Sequence, residues 1–151
     1  MPEPVIPEDP LYRRDLLRLA ADAIGAGALP APDAVGSAHN PACGDRLTVE
    51  LALADGRVTA LAHQTQACVL TQASAALLAG QAAGQDRAGL QALADGVRAF
   101  LRGADPPPGY GVFDGVTDHA GRHVCVLLPL QAALDAFEKA QPASVRPQGQ
   151  P

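Results

Sequence analysis

The sequence predicts an α+β fold, a small antiparallel β-sheet with helices packed on one face. Three observations carry this. "RLTVELAL" and "RVTALAHQT" are runs of alternating residues joined through Asp55-Gly56, a dipeptide that favours a tight hairpin because Gly tolerates positive φ. The segments on either side change to helical periodicity, so strands and helices are segregated along the chain. Hydrophobic residues make up 48% of the chain but aromatics only 3%, so the core must be built from Ala, Leu and Val.

Element by element, "LYRRDLLRLAADAIG" (Leu11 to about Gly25) places Tyr12, Leu16, Leu19, Ala20, Ala23 and Ile24 on one helical face. Gly25, Gly27, Pro30 and Pro32 stop it. Ala34 to Ala38 fits a short edge strand. In the hairpin, Leu47, Val49, Leu51 and Leu53 share a face opposite Thr48 and Glu50, whereas the second strand alternates ambiguously. From Cys68, "CVLTQASAALLAGQAAG" reads as a helix with Leu70, Ser74, Leu77 and Leu78 near one stripe. A further helix has Asp86 as N-cap, a stripe of Leu90, Leu93, Val97 and Leu101, and Gly103 past its end. "ADPPPGYG" breaks the chain, and "LLPLQAALDAFEKA" predicts a final helix with Pro129 in its first turn. The domain spans residues 11–140, between a flexible N-terminus (1–10) and a disordered Pro-rich tail (141–151).

A chain of 151 residues suits one domain. Net charge −5 without a basic cluster argues against a nucleic-acid partner. No apolar run approaches the ~18–20 residues that a membrane span requires. The acidic, Pro-rich "MPEPVIPEDP" resembles neither a signal nor a transit peptide, so the expected compartment is the cytoplasm, where thiols stay reduced. Three cysteines are an odd number and too few for a disulfide framework.

Those cysteines fall at predicted element boundaries. Cys43 precedes the first hairpin strand, Cys68 follows the second and opens a helix, and Cys125 precedes the last helix. An antiparallel pair returns to its starting end, bringing Cys43 and Cys68 to one end of the sheet. The helix N-terminus at Cys68 favours thiolate and predicts a depressed pKa. Cys43-Gly44-Asp45 adds a carboxylate two residues from a thiol. Three thiolates and one carboxylate suit tetrahedral zinc or an iron–sulfur cluster. No C-x-x-C is present, and spacing alone equally allows small buried thiols.

"NPACGD" resembles the Asn-Pro-x-Cys-Gly-Asp signature of the NifU N-terminal/IscU/SufU iron–sulfur assembly scaffolds. The likeness continues through the hairpin into "ACVLTQASAALLAG", and "RHVCVLLPLQAAL" is similar to the third cysteine segment of SufU-type members. The leading "LYRRDLL" is like their N-terminal helix, so the resemblance runs from about Leu11 to Ala140. It implies a SufE/NifU-like fold in which Cys43, Asp45, Cys68 and Cys125 hold a transient [2Fe–2S] cluster, or Zn²⁺ at the same site. Sulfur would come as persulfide from a SufS-like cysteine desulfurase and pass to apo iron–sulfur proteins; Cys125, on the segment furthest in sequence from the hairpin and beside a Pro-rich loop, is the expected acceptor. Such a chain is a carrier rather than an enzyme, at most a sulfurtransferase-type acceptor.

Departures place it on a divergent SufU-like branch. "QTQAC" lacks the glycines usual before the second cysteine, and Leu130 stands where the family has Trp. The Leu-Pro-Pro-Val-Lys docking motif of IscU-type members is absent, and Val124 precedes Cys125 where they have histidine. Two other functions use the same residues: a zinc-dependent sulfur acceptor that relays persulfide, and a non-catalytic adaptor with a structural zinc site. Of the four histidines, only His123 is a candidate for the site, since in an extended segment it would share a face with Cys125. His39 and His119 read as loop residues and His63 as standing on the sheet surface. Arg46, beside the motif, reads as an anion-steering or a solvated residue.

Overall fold

Asp55 and Gly56 both adopt positive φ (53° and 76°), the pairing of angles that a two-residue hairpin turn needs to match strand twist. Around that turn, the computed structural model, which describes residues 13–42 and 44–140, forms a three-stranded antiparallel sheet. Strands β1 (Ala34–Asn40), β2 (Asp45–Ala54) and β3 (Arg57–Gln66) are ordered β1-β2-β3. The helices are α1 (Arg14–Asp22), α2 (Val69–Gln81), α3 (Arg87–Leu101) and α4 (His123–Lys139), with 3₁₀ turns at Tyr110–Val116 and Ala120–Arg122. The expected α+β arrangement is present. Residues 1–12, Cys43 and residues 141–151, and with them the expected flexible ends and the start of the first helix, lie outside the described residues.

Alternation sets the inner face of the sheet. Leu47, Val49 and Leu51 are buried, while Val35, Ser37, His39 and Arg46 on the opposite face are exposed. Helix α4 covers β1 and β2, α2 covers β3, and α1 and α3 pack on those two helices. The closest approach is at Gly36, where a Cβ would meet the backbone of Ala132 and Ala136, so α4 can lie directly on β1 only because position 36 has no side chain. The Ser37 N–H donates to Asp135 Oδ2 at 2.9 Å and fixes that contact.

The ambiguity of β3 has a structural cause. Ala52 pairs with Ala60 but Leu53 with Val58, so Thr59 is an extra residue and the alternation inverts there. Val58 therefore faces inward from one side of the bulge and His63, opposite Val49, from the other. His63 is 5% exposed rather than on the surface, its Nδ1 2.9 Å from Thr65 Oγ1 and its Nε2 2.9 Å from the Ile24 carbonyl. Gly25 and Gly27 bond to the His63 backbone, extending the sheet edge by a bridge.

Both terminal helices differ from expectation. Helix α1 ends at Asp22 because Ala23 turns left-handed (φ 50°), which leaves Ile24 exposed instead of on the buried face. Helix α4 begins at His123, so Cys125 sits in its first turn rather than before it, and Pro129 is its seventh residue. The proline is tolerated because α2 supplies donors to this stretch: Ser74 Oγ donates to the Val126 carbonyl (2.6 Å) and Thr71 Oγ1 reaches the Cys125 carbonyl (3.0 Å).

Candidate metal centre

Cys68 is the N-cap of α2, with extended backbone (φ −64°, ψ 167°). Only Ala67 separates it from β3, whose end lies beside the start of β2, where Asp45 pairs with Asn40 and points inward. The turn between β1 and β2 is organised by Asn40, whose Oδ1 accepts from Ala42 N (3.1 Å) and whose carbonyl accepts from Gly44 N (2.9 Å). Sheet end, α2 N-terminus and first turn of α4 thus meet.

At that junction one carboxylate oxygen of Asp45 and the sulfurs of Cys68 and Cys125 all lie within 4.8 Å of one another. Tetrahedral zinc with ~2.3 Å bonds to sulfur needs ligand atoms about 3.8 Å apart, so the donor set fits a soft metal centre in type and spacing. Cys125 (2% exposed) and Asp45 (6%) are buried, while Cys68 is partly exposed and gives the site its opening. Cys43, the fourth expected ligand, lies outside the described residues.

Hydrogen bonds fix the three groups. The Cys68 backbone N–H donates to Asp45 Oδ1 (3.1 Å). Thr71 Oγ1 lies 3.2 Å from Asp45 Oδ2, 3.0 Å from the Cys125 carbonyl and 3.6 Å from Cys68 Sγ. The Cys125 thiol, donating to the Cys68 sulfur, holds the Cys68 pKa down at about 6; burial opposes this, the Thr71 backbone and hydroxyl add to it, and Asp45 opposes it weakly. The depressed thiol expected from the helix N-terminus is therefore present, with a neighbouring thiol as its chief cause.

Thr71 is the residue that sequence reading missed. The signal was Cys-x-x-Thr at a helix start, since a side chain three residues on leans back over the N-cap. His123 is helical, not extended, so it does not share a face with Cys125; its Nε2 instead lies 3.1 Å from the Thr117 carbonyl. His39 lies within β1, one residue before its end, rather than in a loop, and is exposed; Arg46 bonds Gln66 on the outer face, away from Asp45.

The sequence profile of the NifU-like N-terminal domain matches residues 11–102. The chain belongs to the NifU-like N-terminal domain family. It is 33% identical to the N-terminal part of a nitrogen-fixing NifU-like protein from Brucella abortus. That match covers 87% of this chain and 95% of the other, at a TM-score of 0.82. A candidate iron–sulfur cluster assembly scaffold protein for the SUF system, from thermophilic Fervidobacterium islandicum AW-1, shares the fold. There the TM-score is 0.76 and the identity 18%, over 84% of this chain and 96% of that one. Comparison with curated proteins found no match. In this NifU-like chain the profile takes in Asp45 and Cys68 but ends before Cys125, which the fold itself brings to them.

Proposed function

We propose that the chain is an iron–sulfur cluster assembly scaffold, on which Cys43, Cys68 and Cys125 with Asp45 hold a transient [2Fe–2S] cluster as cargo. The observation that carries this reading is the meeting of Asp45, Cys68 and Cys125 at a partly open end of the sheet. Membership of the NifU-like family supports it. Soft thiolates retain iron and sulfide, and one hard carboxylate is a weaker ligand that favours release.

Sulfur enters from a cysteine desulfurase. A thiolate attacks the outer sulfur of the donor's persulfide, the donor leaves as thiolate, and the new S–S bond sits on the acceptor without any external oxidant. We assign the acceptor to Cys125, on the segment furthest in sequence from the hairpin; its thiol, which donates to the Cys68 sulfur, gives that proton up to Cys68 as it attacks. Apo iron–sulfur proteins then receive the cluster. A zinc-dependent persulfide relay is the second reading, favoured by a donor spacing that also suits a single ion.

Anaerobic incubation with a cysteine desulfurase and cysteine, followed by ferrous iron and a thiol that reduces the persulfide sulfur to sulfide, tests both. The scaffold gives a visible [2Fe–2S] chromophore and passes it to apo-ferredoxin, with the added sulfur on Cys125 by mass spectrometry. Bound zinc and a persulfide without a chromophore would select the relay. No persulfide on any cysteine would overturn both.

A further inference from the structure

Residue 129 of an ordinary helix donates its N–H to the carbonyl four residues back, here that of Cys125. Proline has no N–H to give. The Cys125 carbonyl is met instead by Thr71 Oγ1, a fully buried hydroxyl on α2, at 3.0 Å. The same oxygen lies 3.2 Å from Asp45 Oδ2. A hydroxyl carries one proton, so these two oxygens compete for it, with the Cys68 sulfur at 3.6 Å a longer third acceptor.

We propose that Thr71 is a positioning residue of the metal centre, whose single hydroxyl proton alternates between Asp45 and the Cys125 carbonyl that Pro129 deprives of its helical donor. With the proton on Asp45, the carboxylate is held by the protein through Thr71 and the Cys68 N–H. When Asp45 turns to a cation, the proton passes to the Cys125 carbonyl, so the hydroxyl keeps a partner and the first turn of α4 is pinned as the sulfur of Cys125 is needed. Pro129 is thus a part of the device: it keeps the second acceptor available. The functional meaning of this device rests on the ligand set proposed above; the positioning of Cys125 does not.

Zinc-free protein treated with iodoacetamide, with modification resolved residue by residue, reads the position of Cys125 without metal. Well above the Cys68 midpoint, where that thiol is ionised with or without the Thr71 hydroxyl, Thr71→Val, which keeps shape and loses the hydroxyl, should raise Cys125 modification relative to Cys68 by about tenfold. Thr71→Ser should match wild type, and adding Pro129→Ala to Thr71→Val should restore protection, because residue 129 then supplies the N–H. Zinc affinity, by competition with a chromophoric chelator, should fall about tenfold in Thr71→Val and several-fold in Pro129→Ala, yet return to within about threefold of wild type in the double variant. An unchanged modification ratio in Thr71→Val overturns the proposal. So does an equal rise in Asp86→Ala, which weakens a helix remote from the site, since that would mean general loosening. Wild-type protein that binds no zinc would refute the ligand set, while the modification ratios still decide the role of Thr71.

Discussion

The Cys125 thiol donates to the Cys68 sulfur, and the pH dependence of the site follows from that pair. In zinc-free protein, alkylation of Cys68 should be half-maximal near pH 6. In Cys125→Ala the midpoint should rise towards the usual thiol range, because the largest cause of the shift has gone. A midpoint that stays near 6 in the variant would mean that the α2 N-terminus, not Cys125, holds the thiolate. As the folded pKa lies below the unfolded one, ionisation favours the fold fully above the unfolded value and ceases to do so as the pH falls through about 6. Asp45→Ala should slow cluster transfer to apo-ferredoxin rather than abolish assembly, since it removes the one hard member of the proposed ligand set; transfer at the wild-type rate would acquit Asp45. These candidate ligand residues were legible because cysteine and aspartate carry chemistry wherever they stand. Thr71 was not, because one hydroxyl on an alanine-rich helix looks neutral until its acceptors, at Asp45 and in α4, are known.

Among the elements, the hairpin and α3 could be read directly, since their signals are local. Asp86 does cap α3, accepting from Gly89 N at 2.7 Å, so Asp86→Ala should cost about 1 kcal/mol in urea unfolding and leave zinc affinity unchanged. Gly36→Ala should cost more, about 1–3 kcal/mol, because its methyl would meet the α4 backbone; unfolding near wild-type denaturant concentrations would mean that α4 can lift away from β1. The start of α4 was misread for a physical reason. Pro129 looks like a first-turn residue because a proline inside a helix normally forfeits hydrogen bonds, and the donors that replace them stand on α2, 52 and 54 residues away in sequence. The parity of β3 was hidden in the same way by one extra residue at Thr59.

Across the whole molecule, the fold class was legible because segregated strand and helix patterns leave few arrangements. What lay beyond sequence was which helix covers which strand, a matter of shape that Gly36 decides. One continuous core runs from Leu16 through Val49 and Leu90 to Phe137 and includes Cys125. Tyr110 and Phe113, rings 6.0 Å apart, are fully buried within it, and burial pushes the Tyr110 phenol up. Chelation should therefore leave near-native far-ultraviolet circular dichroism and lower the melting temperature only by the ligand's own binding free energy. Cooperative unfolding on chelation would instead identify the structural-zinc adaptor.

The turn at Asp55-Gly56 closes the same β2–β3 ladder that starts at Asp45, and β2 is 10 residues long. At ~3.3 Å per residue, the tip stands about 30 Å from the ligand end. A dye or surface tether attached at Asp55 would leave the mouth at Cys68 unobstructed. That separation is also a working range for energy transfer, so a labelled tip becomes a ruler for whether a sulfur donor and a cluster acceptor use the same opening.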